Sequence, residues 1–484
     1  MYELREFLEK CKEIGELQEI EGADWNLEIG AISQWQVSDP QSPLLLFDKI
    51  KGYPAGYRIC SNMYRTIKRE ALCLGLPIES ETGMDLVKAW RQKVKSEVTP
   101  ISPVKVKSGP VMENILFGDD IDLYKFPVPK WHEHDGGRYI GTGHVVITRD
   151  PDSGWVNLGT YRVQVQDANT ATIYMSPGRH GHFTRLKYWA KGQACPAAVS
   201  IGGNQALFAY SNIELPYMMS EYDYAGWIIG NPVEVIEGPA TGLPIPASAE
   251  IVLEGEMVPP DVETRKEGPF GEWVGYYGSS SRMEPAFRIK SILHRDSPIL
   301  QSSPPTLPSR PHYLGVWTRR AAELWADLEK TIPGIQSAYL LDEPLAGKMA
   351  VISIKQMYIG HAKQVALAAA GNKSIAYLCK YVIVVDEDID PSDIKQVLWA
   401  LCSRCEPEED IDILRKCWGS ALDPRLPPEK KEKRQLDHST AIILACKPYH
   451  WIDKFPIDIK LSPEKIKEIE DKWGALFRNR SQGV

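Results

Sequence analysis

Residues 143–176 read GHVVITRDPDSGWVNLGTYRVQVQDANTATIYMS, and apolar and polar side chains alternate in three runs of this stretch. Alternation with a period of two is typical of β-strands that bury one face. The runs are separated by the turns DPDSG and DANT, whose proline, glycine, aspartate and asparagine residues favour chain reversal. The stretch therefore predicts an antiparallel β-meander.

The alternation continues toward residue 300, in the runs AAVSIGG, VEVIEG, AEIVLEGEM and AFRIKSILHR. So many short strands in one region favour a β-barrel or a β-sandwich. One helix is expected to interrupt the strands, near residues 182–192. The central region is therefore predicted to consist mainly of strands.

Both flanks of this region mix helices with strands. On the N-terminal side, apolar residues from Leu4 onward recur at helical spacing, PLLLF (43–47) has the character of a strand, and residues 84–96 that of a helix. On the C-terminal side, strands and helices alternate in the runs MAVISIKQ, HAKQVALAAAG and KYVIVVDEDID. The pattern predicts an α+β multidomain protein with α/β regions on either side of the strands.

Two helices near the C-terminus carry capping signals. The helix in residues 391–404 is expected to have Asp390 as its N-cap and Pro391 at its first position. The last helix follows Ser462, a plausible N-cap, and amphipathic helices at this end of a chain often pack on a neighbouring subunit.

The composition is that of a globular protein, with 484 residues, 43% hydrophobic, 25% charged and a net charge of −8. No basic cluster is large enough to follow a nucleic-acid backbone, and no apolar run is long enough to span a bilayer. Nine scattered cysteines suit a reducing compartment better than a disulfide framework. We therefore expect a cytoplasmic protein that binds neither nucleic acid nor membranes.

Two glutamates flank a turn in Glu267–Glu272, EGPFGE. No regular period places residues five apart on one face, so only an irregular, glycine-permitted loop could aim both carboxylates at one point. Arg162, within a strand run, is a candidate partner that would keep one carboxylate ionised while burial favours the protonated form of the other. Two carboxylates in different protonation states can act as an acid/base pair, although the spacing alone also allows an ordinary turn.

A second group of candidates consists of Asn157, the histidines of MSPGRHGH (175–182) and Glu221. Amide oxygen, imidazole and carboxylate together suit a Mn²⁺ or Mg²⁺ ion that also holds a phosphate. The alternative is that the His-Gly-His step belongs to a polar loop without a metal. The residues alone leave this question open.

Five segments together resemble the UbiD family of non-oxidative decarboxylases, with hydroxybenzoate and protocatechuate decarboxylases as the nearest type. These segments are NLGTYRVQ (157–164), PGRHGH (177–182), SEYDYAGWIIGNPVEVI (220–236), EGPFGEWVGYYG (267–278) and VDEDIDPSDIKQVLWALCSRCEP (385–407). They follow one another in the expected order over nearly the whole chain, and the two-glutamate loop with its distant arginine is specific.

The resemblance implies a central split β-barrel that binds prenylated FMN, flanked by N-terminal and C-terminal α/β regions. The corresponding divisions are an N-terminal α/β domain (1–110), a split-barrel flavin domain (111–314), a C-terminal α/β domain (315–460) and a C-terminal helix (461–484). It also implies Mn²⁺, usually with K⁺, between the cofactor phosphate and the protein.

The resemblance assigns roles to residues of this chain. Arg162, Glu267 and Glu272 would be catalytic, with Arg162 paired to Glu267 and Glu272 left free to donate the proton that replaces CO₂. The metal set would be Asn157, His180 and Glu221, with His182 as an alternative to His180. Further cofactor contacts would come from Thr160, Tyr161, Arg162, Gln164, Arg179 and Lys380. Because an ideal strand puts Asn157 and Arg162 on opposite faces, a bulge at Gly159 is expected.

The implied reaction is reversible decarboxylation of an aromatic acid, with a small hydroxylated benzoic acid as the preferred substrate. Arg310, His312 and His438 could bind or deprotonate a ring hydroxyl, and the alternative is that their segments are surface loops. Other substrates are a polyprenyl-hydroxybenzoate, a heteroaromatic acid or an acrylic acid, and the enzyme could act as a carboxylase in the cell. A non-catalytic flavin-binding protein has no use for an acid such as Glu272, and a glycosidase has no use for the metal set.

The resemblance also implies partners. A flavin prenyltransferase of the UbiX type would supply the cofactor, and the chain would assemble as a homodimer or a homohexamer.

Overall fold

A computed structural model describes residues 1–39, 41–94, 97–213, 215–216, 218–277, 280–306, 316–341 and 347–478. Within these ranges the chain forms an α+β fold with four sheets. The α+β prediction is confirmed, and helices and strands alternate on both flanks of a large central sheet, as the sequence predicted.

The N-terminal region has a four-stranded sheet in the order β1-β2-β3-β17, covered by helices. Its elements are α1 (Leu4–Glu13), β1 (Leu17–Glu21), α2 (Glu28–Gln36), β2 (Leu44–Asp48), β3 (Arg58–Ser61), α3 (Ile67–Leu74) and α4 (Gly83–Lys93). The last strand, β17 (Ile299–Gln301), returns from far along the chain and runs parallel to β3. The N-terminal sheet is therefore completed by residues that follow the central region.

The central region contains a ten-stranded sheet and a small three-stranded sheet. Its strands are β4 (Val104–Lys105), β5 (Asn114–Phe117), β6 (Tyr139–Gly141), β7 (His144–Arg149), β8 (Val156–Gly159), β9 (Val163–Val165), β10 (Thr170–Ile173), β11 (Cys195–Ile201), β12 (Glu234–Glu237), β13 (Pro244–Pro246), β14 (Ile251–Met257), β15 (Thr264–Glu267) and β16 (Arg282–His294). Its helices are α5 (His180–Ala190), α6 (Gln205–Tyr210) and α7 (Glu221–Ile229). The helix predicted near 182–192 is α5, but α6 and α7 also interrupt the strands, so the expectation of one helix is wrong.

Residues 160–162 connect opposite ends of the ten-stranded sheet. The main path of this sheet runs β6-β9-β10-β16-β14-β11-β7-β8, so β8 is its last strand and β9 its second. Because β8 ends at Gly159 and β9 begins at Val163, four residue steps of at most roughly 14 Å separate them. The sheet must therefore curl until its two ends face each other, although among the described residues no strand pairing joins β6 to β8.

The break at 160–162 corrects two expectations. The run WVNLGTYRVQVQD is not one strand with a bulge at Gly159, because β8 pairs with β7 while β9 pairs with β6 and β10. The predicted meander is thus interrupted in its middle run. Beneath the curved sheet, fully buried Val146, Val163 and Phe287 belong to one apolar core, which stabilises the curvature.

The C-terminal region is a five-stranded sheet in the order β18-β19-β20-β22-β21, with parallel pairing between β19, β20 and β22. Its elements are α8 (Val316–Thr331), β18 (Ile335–Leu341), β19 (Met349–Ile354), α9 (His361–Ala370), β20 (Tyr381–Asp386), α10 (Ile394–Arg404), α11 (Pro407–Asp410), β21 (Ile411–Cys417), α12 (Pro428–Glu432), β22 (His438–Ala445) and α13 (Pro463–Arg478). The strand and helix order predicted for 349–404 is confirmed.

The start of α10 differs from the prediction. Asp393, not Asp390, is the N-cap, because its carboxylate accepts hydrogen bonds from the Lys395 and Gln396 N–H groups. Asp390 instead accepts from the N–H of Ser392, which closes a local turn before the helix. In α13, Ser462 accepts from the Lys465 N–H, so its predicted capping role is confirmed.

All nine cysteines lie in the described part of the chain and are free thiols. Among the described residues, each helix is too short or too polar to cross a lipid bilayer.

Candidate active site

A cavity of about 410 Å³ lies where the central and C-terminal regions meet. Its volume falls in the range of small-molecule sites. Asn157, Arg162, His180, Glu221 and Glu272 all line it. Members of both groups of residues that the sequence selected therefore face one space, because the sheet's two ends meet there, whereas Glu267 is not among the described residues that line it.

Arg162 lies between the two glutamates of the EGPFGE turn. Its Nε and Nη2 donate to Glu267 Oε1 and Oε2 at 2.7 and 2.8 Å, and its Nη1 donates to Glu272 Oε1. The guanidinium carbon also lies 4.4 Å from the ring centroid of Tyr174. The expectation that Glu272 is left free is wrong for this structure, since both carboxylates bind the same arginine.

Burial decides the protonation of this group. Burial alone would lower the pKa of Arg162, but its hydrogen bonds to Glu267 and the charge of Glu272 outweigh this effect and raise that pKa. Burial, with a smaller contribution from the charge of Glu267, raises the pKa of Glu272 to about 7 against the lowering effect of Arg162. Glu272 can therefore exchange a proton near neutral pH while Arg162 stays charged.

The side chains of three residues contact the EGPFGE turn and fix its position. Gln164 Oε1 accepts from the Gly268 N–H at 2.9 Å and from the Tyr139 hydroxyl at 3.2 Å. The same hydroxyl lies 3.2 Å from Glu267 Oε1, and Asp135 accepts from the Gly271 N–H at 3.1 Å. Gln164, predicted to contact the cofactor, is not among the described residues that line the cavity and instead supports the turn. Sequence reasoning assigned neither Tyr139 nor Asp135 to this turn.

At another part of the wall, Glu221 and Asn157 are joined. Asn157 Nδ2 donates to Glu221 Oε1 at 3.0 Å, and the Leu158 N–H donates to Glu221 Oε2 at 2.7 Å. Asn157 is buried, and its Oδ1 has no hydrogen-bond partner in the described part of the chain. Glu221 is the first residue of α7, where the Ser220 side chain caps the helix.

His180, the first residue of α5, lines the same cavity, and its ring centroid lies 5.1 Å from that of Trp155. His182 does not line it within the described ranges, and its Nδ1 accepts from Arg185 Nη2 at 3.2 Å. An oxygen without a partner, a carboxylate and an imidazole are the donor set of a Mn²⁺ site, so these residues fit such an ion. The described residues hold no group of three His, Cys, Asp or Glu side chains that could bind a metal, and this candidate set contains only two such residues beside Asn157.

The other predicted cofactor contacts differ in position. Thr160 lines the cavity, and its hydroxyl lies 2.9 Å from that of Ser211. Arg179 also lines it, with its guanidinium carbon 5.5 Å from the ring centroid of Tyr377. Lys380 forms an ion pair with Asp423 and is not among the described lining residues. Tyr161 lines the cavity although it is largely buried.

The predicted substrate contacts are not supported at His438. Its ring nitrogens face the carbonyls of Ser439 and Trp418, at 2.9 and 3.1 Å, and within the described residues it does not line the cavity. It therefore anchors the Trp418 segment. Arg310 and His312 lie outside the described residues.

Aromatic residues that the sequence did not single out form the wall on the C-terminal side. Trp418 and Tyr377 are in T-shaped contact at 5.1 Å, and Trp273 lies 5.9 Å from Trp317. All four line the cavity. Trp273 lies in the quoted segment EGPFGEWVGYYG but had no assigned role, and its contact with Trp317 forms only through the packing of the central and C-terminal regions.

A buried arginine shared by two glutamates, beside candidate metal ligands at one cavity, suits an enzyme that moves protons at a bound small molecule. Three family models match the chain: the 3-octaprenyl-4-hydroxybenzoate carboxy-lyase N-terminal domain at residues 8–90, its Rift-related domain at 102–308 and its C-terminal domain at 312–445. The chain belongs to the UbiD family of carboxy-lyases.

Relatives and solved structures agree with this family. The chain is 33% identical over 449 residues to the pyrrole-2-carboxylic acid decarboxylase of Pseudomonas aeruginosa, covering 89% of this chain and 88% of that protein. It is 31% identical over 500 residues to the phenolic acid decarboxylase of Sedimentibacter hydroxybenzoicus, covering 99% of both.

Its fold is similar to the UbiD-class enzyme HmfF from Pelotomaculum thermopropionicum, solved in complex with FMN, with a TM-score of 0.81, 28% identity and coverage of 96% of this chain and 98% of that chain. An evolved dimeric form of HmfF was solved in complex with prFMN (TM-score 0.78, 26% identity, with the same coverage).

Proposed function

We propose that this chain is a prenylated-FMN-dependent decarboxylase of small aromatic acids, with a hydroxylated benzoic acid as the preferred substrate. The observation that carries this proposal is the contact of Arg162 with both Glu267 and Glu272 at a cavity of suitable size. The phenolic acid decarboxylase that spans the whole chain supports the substrate class.

The proposed roles follow from charge and protonation. Loss of CO₂ from an sp² carbon leaves an electron pair, and prenylated FMN supplies the electron sink when it is bound. Arg162, fixed by its two hydrogen bonds to Glu267, holds the substrate's carboxylate, the group that departs. Glu272, whose pKa is raised to about 7, donates the proton that replaces CO₂. A proton on Glu272 Oε2 is compatible with the hydrogen bond that Arg162 donates to Oε1.

The metal and cofactor contacts are part of the same proposal. Asn157 Oδ1, His180 and Glu221 would hold Mn²⁺ beside the phosphate, while Thr160, Tyr161 and Arg179 would face the cofactor. K⁺ and the contacts of Lys380 and Gln164 stay predictions from the family resemblance. We also infer that the curled ten-stranded sheet is the family's split β-barrel and keep the domain divisions 1–110, 111–314, 315–460 and 461–484.

A heteroaromatic acid is the second candidate substrate. It is favoured by the relative named pyrrole-2-carboxylic acid decarboxylase. The aromatic wall of Tyr377, Trp418, Trp273 and Trp317 suits either ring. Polyprenyl-hydroxybenzoates and acrylic acids stay alternatives from the family resemblance. The physiological direction, including carboxylation, stays open to measurement.

The test is to express the chain together with a flavin prenyltransferase of the UbiX type, the proposed cofactor supplier. CO₂ release is then measured from 4-hydroxybenzoate, protocatechuate, pyrrole-2-carboxylate and cinnamate. We expect turnover of the hydroxybenzoates. Turnover of pyrrole-2-carboxylate alone would show that the substrate is a heteroaromatic acid. Bound flavin without CO₂ release from any acid would contradict the proposed decarboxylase function.

A further inference from the structure

His144, in β7, makes a contact outside the strand ladder. Its side chain is buried, and Nε2 lies 2.7 Å from the backbone oxygen of Tyr161. Nδ1 has no hydrogen-bond partner among the described residues, so the proton belongs on Nε2, which donates to that oxygen. Burial lowers the pKa of His144 to about 4, which keeps the ring neutral at physiological pH.

The hydrogen bond from His144 is made to a backbone carbonyl that lies outside the strands. Tyr161 lies in the connection 160–162, between β8 and β9, where the chain crosses from one end of the sheet to the other. A carbonyl outside the strands has no ladder partner, and buried carbonyls require one. The His144 side chain supplies this partner and ties the crossing to β7.

Tyr161 is also held at its other end. Its hydroxyl accepts from the Gly181 N–H at 3.2 Å, at the start of α5. Its ring packs over Gly159 and Gly181, where an added Cβ would lie 2.5 and 2.9 Å from ring atoms. Neither glycine could be replaced without moving the ring, so Tyr161 spans a fixed gap between β7 and α5.

The neighbours of the two anchored groups are the site residues themselves. Arg162 directly follows the anchored Tyr161 carbonyl, and His180 directly precedes Gly181. We propose that His144 and Tyr161 are positioning residues that set the spacing between Arg162 and the metal-ligand candidate His180. Their catalytic effect rests on the proposed decarboxylase function, whereas the geometric effect does not.

The two residues act on different ends of the site. Loss of the His144 donor frees the Tyr161 carbonyl and lets Arg162 shift, and a misplacement of about 1 Å can lower a rate by ~10²-fold. Loss of the Tyr161 hydroxyl frees the first turn of α5 and hence His180. We therefore expect His144 variants to lose kcat and Tyr161→Phe to lose metal.

The experiment compares His144→Gln, His144→Asn and His144→Leu with wild type, all loaded with prenylated FMN and Mn²⁺. The Gln amide can reach the position of Nε2, whereas Asn is too short and Leu has no donor. We expect ~10²-fold lower kcat with little change in KM and in bound flavin for Asn and Leu, and recovery to within about tenfold of wild type for Gln. If Leu does not fold, the Asn and Gln variants make the same comparison.

Equal kcat in all three variants, or equal loss in Gln and Asn, would overturn the role of His144. For Tyr161→Phe, we expect manganese content by mass spectrometry to fall at least tenfold after dialysis, and unchanged manganese content would overturn the role of Tyr161. If wild type decarboxylates no acid, the proposed function fails, but crystal structures of His144→Asn and metal retention in Tyr161→Phe still test the positioning. An unmoved Arg162 in that crystal structure would then contradict it.

Discussion

Glu272 experiences opposing effects within one small volume. Its carboxylate binds Arg162, which favours ionisation, but it is also buried and near Glu267, which favours protonation. Burial is the larger effect, and the pKa of Glu272 is raised to about 7. Glu267, fully buried, instead receives two hydrogen bonds from the guanidinium. The asymmetry between the two glutamates is what suits one of them to proton donation.

Glu272→Gln is expected to keep bound flavin but to lose decarboxylation and deuterium exchange between solvent and product. The amide retains the shape and can still contact Arg162, but it cannot donate the proton, and loss of a general acid costs ~10²–10⁴ in rate. Flavin absorbance and CO₂ release measure the two effects. Near-normal turnover would rule out Glu272 as the donor.

The raised pKa of Glu272 also predicts the direction in which kcat changes with pH. Because its pKa is raised from the ordinary value of 4.5 to about 7, Glu272 keeps its proton up to about pH 7 and loses it above. If the protonated form is required, kcat falls about tenfold per pH unit above that value. A profile that stays flat from pH 6 to pH 9 would contradict this assignment.

His180→Ala and Glu221→Ala are expected to purify with little manganese and little flavin, because both side chains belong to the proposed ion site. His182→Ala is the matched control, since His182 contacts Arg185 and does not line the cavity within the described chain. Metal analysis and flavin absorbance provide the readout. Loss of metal in His182→Ala with retention in His180→Ala would reverse the choice between the two histidines.

At the scale of secondary-structure elements, the sequence predicted where strands form but not which strands pair with each other. The alternation in 143–176 predicted strands, because strand periodicity depends only on neighbouring residues. β9 pairs with β6 and β10 and not with β8. This pairing depends on the curvature of the whole sheet. The sequence therefore predicted a bulge at Gly159 where the structure has a break.

The same limit applies to the site. The contact of Arg162 with Glu267 was expected from carboxylate chemistry and the unusual spacing, and the structure has it. Arg162 also contacts Glu272, which was expected to be free. The contact of Tyr377 with Trp418 had no such signal, since the two residues are distant in the sequence and meet only through packing within the C-terminal region. His438 was expected at the substrate because an imidazole can bind or deprotonate a ring hydroxyl. In the structure, however, each of its ring nitrogens lies within hydrogen-bond distance of a backbone carbonyl.

The helix start at α10 offers a test at this scale. Asp393→Ala removes the acceptor for two N–H groups of the first turn and is expected to destabilise the helix by about 1 kcal/mol. This corresponds to roughly fivefold faster amide exchange in peptides covering 394–404. Asp390→Ala is the control, because Asp390 bonds Ser392 outside the helix, and a larger effect there would restore the sequence-based assignment.

For the whole molecule, the order of regions in space differs from their order in the chain. β17 leaves the central region to complete the N-terminal sheet, so these two regions share a structural element. The C-terminal region contributes Tyr377 and Trp418 to a cavity whose catalytic candidates come from the central region. The site is thus complete only when the central and C-terminal regions are packed together, and relative movement of these regions would change access to Glu272.

The C-terminal helix α13 carries the prediction for assembly. Ile466, Ile469, Trp473 and Leu476 are 40–63% exposed in the single chain. At 100° per residue their spacing of three, four and three places them along one face of the helix. An exposed apolar stripe of this kind favours packing against another copy, in line with the predicted homodimer or homohexamer.

Charge-changing substitutions on opposite faces of α13 distinguish an effect on subunit packing from a general effect on the helix. Ile469→Glu with Trp473→Glu places two carboxylates in the stripe, and burying unpaired charges would oppose the contact. We expect light scattering to give a lower mass than wild type at the same concentration. Asp471→Lys changes the charge on the opposite face, about 180° from the centre of the stripe, and is expected to leave the mass unchanged. An unchanged mass in the double variant, or a monomeric wild type, would show that α13 does not hold subunits together.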